Sequence, residues 1–410
     1  MTQVTRRELF PGVWLRTVHT DKFKSSYLSL TMLVPLERER AAAIEERMFE
    51  HYGPGKASIE PIVRKKGETQ CLGFVASFLD DAFAPGGEPI LEPAAGLLGE
   101  LLLRPRLQDG IFAEEYVSGE RANLVDRIRG QINDKRSYAT LRLGQLMCGE
   151  EAFGVDKLGD VEHAAAVTPG SLWERYQQLL STAQIELYYC GSAEEERVAR
   201  ALKEALSALP VKVGRICPDC EVRLHAGPEP SMVEESMDVT QGKLAMGFRT
   251  GGVTCWEEEY PAMAMCNAVF GGTTLSKLFM NVREKLSLCY YASSTLEKMK
   301  GLILVSSGIE FDKFQQARDE ILHQLEEIRQ GNMEDWELEG TRRTMIGAHL
   351  ATLDVQDRQE DFWLGQTAAG LETGIEELVA QLEQVTREQV AQAAQKLELD
   401  TIYFLKGTEG

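Results

Sequence analysis

The chain has 410 residues, 43% hydrophobic and 26% charged, a globular composition with more length than one ordinary core needs. Forty-four Lys and Arg stand against 64 Asp and Glu, and the net charge of −20 argues against nucleic acid or an anionic membrane as partner, because phosphates need cations. No apolar run reaches the ~18 residues of a membrane span and none near the start suits a signal peptide, so the sequence predicts a cytoplasmic chain that does not enter a membrane.

In chain order, strand-like patterns occupy Ser25–Val34, Ile59–Val63 and Gln70–Phe78. Helical patterns follow at Glu92–Leu103, Phe112–Asn133, Ser137–Met147 and Leu172–Leu180. Strands first and helices after predict an α+β unit, a mostly antiparallel sheet with helices on one face. Residues 209–238 carry Pro210, Pro218, Pro228 and Pro230 with an acidic cluster, and read as a linker. Beyond it, helices are predicted at Arg318–Gln330, Trp336–Leu353 and Ile375–Leu382.

The two sides of this linker resemble each other. Val167–Gly191 and Val385–Gly407 each read Val-Thr, a short amphipathic helix, an apolar strand and a terminal glycine, with Thr168 and Thr386 where N-caps belong. The offset is 218 residues at the start (385 − 167) and 216 at the end (407 − 191). Ser25–Pro35 likewise resembles Val239–Thr250. The sequence therefore predicts two homologous tandem domains, 1–208 and 239–410, joined by 209–238.

Eight cysteines are spread along the chain, most in apolar segments. Cys217 and Cys220 form one C-x-x-C, open to reading as two loop cysteines or as a metal or redox pair; a structural zinc site needs two more ligands, and no second C-x-x-C or nearby His pair supplies them. The six histidines are 19, 51, 163, 225, 323 and 349, and no two lie within five residues of each other, so no H-x-x-E-H motif exists. No metal ligands are predicted.

The most informative stretch is Gly271–Ser294, GGTTLSKLFMNVREKLSLCYYASS, which reads as a Gly-Gly turn opening an amphipathic helix, then a strand. Together with the repeated Val-Thr helix, it resembles the zinc peptidases of the insulinase, pitrilysin and mitochondrial processing peptidase family, the inverzincins. The resemblance implies the LuxS/MPP-like metallohydrolase fold. Active members hold zinc through H-x-x-E-H on the first long helix and a Glu on a later one. Here Ile44, Arg47 and Met48 stand at the motif positions, and Asp126 and Arg127 near the third ligand. Glu45, Glu46 and Glu50 then read as a solvated helix face and His51 as a helix-end residue. The region around residues 36–56 is short for the family, as if a helix were missing.

The family also places an Arg on the second-half helix and a Tyr seven residues on against the substrate; the matching residues are Arg283 and Tyr290. Read without the family, Arg283 pairs with Glu284 or another surface carboxylate and Tyr290 is an ordinary strand residue. By the same resemblance the loop Gly271, Gly272, Thr273 and Thr274 faces substrate, while Ser287 departs from the usual glycine. The resemblance implies a zinc-less subunit of a two-chain peptidase, with a homologous H-x-x-E-H chain as partner, a peptide as substrate, and zinc in the partner only. It extends to a bacterial subgroup associated with elongation factor P modification. The alternative is an inert structural or peptide-binding scaffold subunit.

Overall fold

A computed structural model describes residues 3–36, 58–210 and 219–408. The positions matched to the zinc motif, Ile44, Arg47 and Met48, lie outside the described residues, as do Glu45, Glu46, Glu50, His51 and Cys217. The chain divides into two compact units, residues 1–129, 157–219 and 355–368 in the first and 130–156, 220–354 and 369–410 in the second.

The first unit is built on strands β1 (Gln3–Phe10), β2 (Val13–His19), β3 (Ser25–Pro35), β4 (Ser58–Lys66), β5 (Thr69–Leu79) and β8 (Gln184–Gly191), with a small hairpin of β6 (Leu107–Gln108) and β7 (Ile111–Phe112). The large sheet has the order β1-β2-β8-β3-β5-β4, parallel only between β2 and β8. The second unit holds β9 (Ser231–Met237), β10 (Gly242–Arg249), β11 (Cys289–Glu297), β12 (Leu302–Ile309) and β13 (Glu398–Gly407), ordered β11-β12-β10-β13-β9 and parallel only between β13 and β9. Read from their β4 and β11 edges, the first five strands of the larger sheet match the five of the smaller, parallel pair included, and β1 is an extra strand beyond them. This is the predicted duplication.

Helices are α1 (Leu91–Leu103), α2 (Glu114–Gly130), α3 (Lys135–Met147), α4 (Val161–Ala166), α5 (Pro169–Thr182), α6 (Glu195–Ala205), α7 (Tyr260–Asn267), α8 (Phe314–Arg329), α9 (Asp335–Thr352), α10 (Gln356–Ala368), α11 (Ile375–Gln384) and α12 (Arg387–Gln395). Alternation along β3 sends Leu28, Leu30, Met32 and Val34 into one core with α1, α5 and α6. The matching core of the second unit sets Leu244, Met246 and Phe248 against α7, α8 and α12. Thr168 and Thr386 cap α5 and α12, accepting from the backbone N–H of Ser171 and Gln389 at 3.2 and 3.3 Å.

Two features correct the sequence reading. The end of the predicted linker is β9, an edge strand with half-buried and exposed side chains, which shows little apolar pattern because one side faces solvent. The units are also not consecutive halves. The second face of each sheet carries a helix from the other half of the chain: α10 in the first unit and α3 in the second.

Candidate functional site

The Gly271–Ser294 stretch is organised around β11, the edge strand of the second sheet. Gly271 and Gly272 close a wide helical turn, Ala268–Gly272, rather than open the next helix, which spans Leu278–Lys285. Just ahead of that helix, Ser276 Oγ accepts from Phe279 N at 3.3 Å. Gly271 is required by a close approach: a Cβ there would stand 2.6 Å from the amide nitrogen of Ser294 on β11. Thr273 bridges the turn, its hydroxyl accepting from Leu275 N at 3.3 Å, and Thr274 is exposed. Lys277 and Glu337, both buried, pair at 3.1 Å and fasten the loop to α9, a tie the sequence reading missed.

Leu278 and Val282 anchor the helix in the core, leaving Arg283 half exposed. Its guanidinium lies 4.6 Å from the Phe279 ring centroid and 3.3 Å from the Glu284 carboxylate. The helix ends in widened turns, with Leu286 N donating to Asn281 O and Leu288 N to Val282 O, both at 3.0 Å. Ser287 then adopts φ 50°, the left-handed region. That is the physical reason glycine suits this position.

Cys289 pairs with Ile309 and Tyr291 with Gly308, so Tyr290 is the extra residue of a β-bulge. The bulge turns Tyr290 out of the ladder: it is 60% exposed, and its hydroxyl donates to Glu310 Oε1 at 3.3 Å. Gly271, the helix bearing Arg283, and Tyr290 thus meet along one strand. Among the described residues no hydrogen bond joins Arg283 to Tyr290; each has its own neighbours.

Among the described residues, no group of three or more His, Cys, Asp or Glu is placed to hold a metal ion. On α2, Asp126 is exposed and Arg127 half-buried. Two histidines bind carboxylates, His163 to Asp160 at 2.6 Å and His225 to Glu398 at 2.9 Å.

A second polar locus lies in the first unit, where α10 covers the sheet. A cavity of about 10 Å³, the space one water needs, is lined by Arg16, Ser29, Thr31, Glu186, Tyr188 and Glu360 among others. Glu360 accepts from Ser29 Oγ at 3.1 Å and pairs with Arg64. Burial pushes the carboxyls of Glu186 and Glu360 above the usual range, despite the arginines beside them. Arg16 lies 4.2 Å from the Trp363 ring centroid. These residues come from separate strands and from a helix some 170 residues or more away in sequence, with no local motif to signal them.

Tandem α+β units of one topology, carrying a glycine turn, an arginine helix and a bulged tyrosine, define a peptidase-like chain. The comparisons agree. A family model described as "Peptidase M16 inactive domain" matches residues 166–345, a span that includes Gly271 through Tyr290. The chain is 33% identical over 421 residues to the "Probable inactive metalloprotease YmfF" of Bacillus subtilis, covering 97% of each. Its fold resembles a conserved protein from Enterococcus faecalis V583 with a TM-score of 0.86 and 26% identity over all of both chains. A peptidase M16 inactive domain from Pseudomonas fluorescens shares the fold, with a TM-score of 0.80 at 16% identity over 99% and 98% of the two chains. The chain belongs to the M16 peptidase family, among its inactive members.

Proposed function

We propose that this chain is the zinc-free subunit of a two-chain cytoplasmic peptidase, and that Arg283 and Tyr290 complete a site whose metal is held by a homologous H-x-x-E-H partner. The observation that carries this reading is Tyr290 itself. A bulge lifts its ring out of an edge strand and leaves its hydroxyl at the surface, one short turn from the Arg283 helix. A tyrosine hydroxyl and a guanidinium fork are suited to donate to a peptide carbonyl as negative charge develops on its oxygen. This chain's described residues do not fit a metal, so its part is binding, orientation and hydrogen-bond donation.

The scaffold reading has one observation in its favour: Glu310, Glu284 and Phe279 already engage both side chains. Coexpression with an H-x-x-E-H homologue separates the two. The peptidase reading expects a stable complex in which Tyr290→Phe lowers kcat by about 10²–10³ with assembly and bound metal unchanged. Tyr116→Phe is the control, an exposed tyrosine of α2 whose hydroxyl accepts from Arg106 at 2.8 Å. Full activity in both Tyr290→Phe and Arg283→Ala complexes would make the pair structural. Failure of any homologous chain to shift the elution of this one on size exclusion would remove the partner.

A further inference from the structure

We propose that Arg136 and Lys243, gathered around the ring of Tyr291 in the second unit, form a binding site for a carboxylate of an acidic peptide. The site is built by register. Lys243 on β10 and Tyr291 on β11 both pair with Gly308 on β12, so all three share one row across the sheet. Gly308 is the floor: a Cβ there would stand 2.5 Å from Tyr291 Cε1, so only glycine lets the ring lie across the row toward Lys243. Arg136, in the first turn of α3, places its guanidinium 4.1 Å from the ring centroid, and Lys243 Nζ lies 5.9 Å from the same centroid. Ser293 accepts from Arg136 Nη2 at 3.2 Å, and Ser306 donates to the Tyr291 hydroxyl at 3.5 Å. The surroundings are thus small and polar.

What the site lacks is a negative partner. Among the described residues, neither Arg136 nor Lys243 has a carboxylate within 4.0 Å. The charge nearest to hand, Asp134, is committed to capping α3: it accepts from Arg136 N and Ser137 N at 3.1 Å and from Ser137 Oγ at 2.6 Å. Lys243 is half-buried and donates to the neutral amide of Gln241. Burial, and after it the charge of Arg136, hold its ammonium below the usual lysine range, with Asp134 only partly opposing them. Two cations are therefore held together on an accessible face of a chain whose net charge is −20. An incoming carboxylate relieves their repulsion and gains charge-assisted hydrogen bonds from both. Tyr291 adjoins Tyr290 on the unpaired edge strand, which is why a peptide is the expected carrier; that clause rests on the peptidase reading above.

The test uses this chain alone, without partner or metal, so its failure and that of the peptidase reading are separable. Three probes of one sequence are titrated calorimetrically at low salt: a peptide blocked at both ends with two Glu, the same with Gln, and the Gln form with a free C-terminus. Binding of the Glu peptide over its Gln match assigns a side-chain carboxylate; preference for the free end assigns a terminal one. Either supports the proposal if Arg136→Gln and Lys243→Gln each weaken binding by about tenfold or more, the worth of one charge-assisted bond. NMR titration of Lys243 should show its pKa rising when the peptide binds. Equal affinity for all three peptides, no saturable binding of any, or variants that bind as wild type would overturn it.

Discussion

The second faces of the two sheets receive the same architectural treatment, with different chemistry at the centre of each seam. In the second unit, α3 brings Ala139, Leu143, Met147 and Cys148 onto Ala245, Leu302, Leu304 and Leu405. The centre of that seam is apolar and close-packed, where a Cβ on Gly247 would sit 2.0 Å from Met147 Sδ, while its flanks are polar, with Arg142 donating to Glu235 at 3.0 Å and the buried Arg249 donating to Met147 O at 2.9 Å. In the first unit, α10 brings Gln356, Glu360, Trp363 and Thr367 onto Arg16, Ser29, Tyr188 and Arg64. Gln356 alone bonds Ser25 Oγ, Ser25 O and Cys190 O, each at 2.9 Å. A duplicated fold therefore fixes where a helix docks without fixing what holds it there. Apolar contact tolerates small shifts; a buried hydrogen-bonded seam demands one register, because each unmet group costs about 1–3 kcal/mol.

The sharpest way to break this comparison is Arg64→Ala. It leaves the Glu360 carboxylate, whose side chain is 2% exposed, with Ser29 in place of a cation. Removing one partner of a buried pair costs about 3–5 kcal/mol. The sign with pH follows from Glu360, already held above the usual range by burial. A carboxyl whose folded pKa exceeds its unfolded one favours the fold while protonated, and that contribution is lost as pH rises through the folded pKa. The variant raises this pKa further. Its deficit against wild type in denaturant unfolding should be full at neutral pH and shrink as pH falls toward the ordinary glutamate value of about 4.3. Leu143→Ala, in the apolar seam, should cost about 2–5 kcal/mol, nearly independent of pH. Equal pH profiles for the two variants would erase the distinction drawn here.

The sequence showed the layers better than their partners. Ser25–Val34 falls within β3, where apolar residues facing one core alternate with small polar residues buried under α10, and Arg318–Gln330 covers all but the first turn of α8, whose apolar stripe separates a wet face from a dry one. Helix α10 was missed for the same reason inverted. Its C-terminal stretch is buried all round, with Gln359, Glu360, Gln366 and Thr367 among the buried residues, so no apolar stripe marks it. Which half of the chain supplies a covering helix is a long-range choice that local period does not carry. At β11, the spacing of Arg283 and Tyr290 was legible as a motif. The bulge was not, because it arises from pairing with β12, and neither was the row Lys243–Gly308–Tyr291, which exists only once three strands are in register.

The smallest expected effect asks whether the repeats remain equivalent where the seams have diverged. Thr168 and Thr386 head α5 and α12, and both form reciprocal caps, with Ser171 and Gln389 returning a bond to the threonine N–H at 3.0 and 2.8 Å. Each hydroxyl satisfies one orphan amide of a first turn, so Thr→Ala at either position should cost about 1 kcal/mol, and Thr→Ser much less. The third cap residues differ, a short hydroxyl in one repeat and a longer amide in the other. That group bonds the threonine's own N–H, which the Ala variant keeps, so it does not enter the difference. Thermal unfolding of the two Ala variants should therefore show similar small losses. A loss at one position several times that at the other would mean that the helix start bears on packing in one unit and on local capping in the other, and the likeness of the two sheets would end at their strand order.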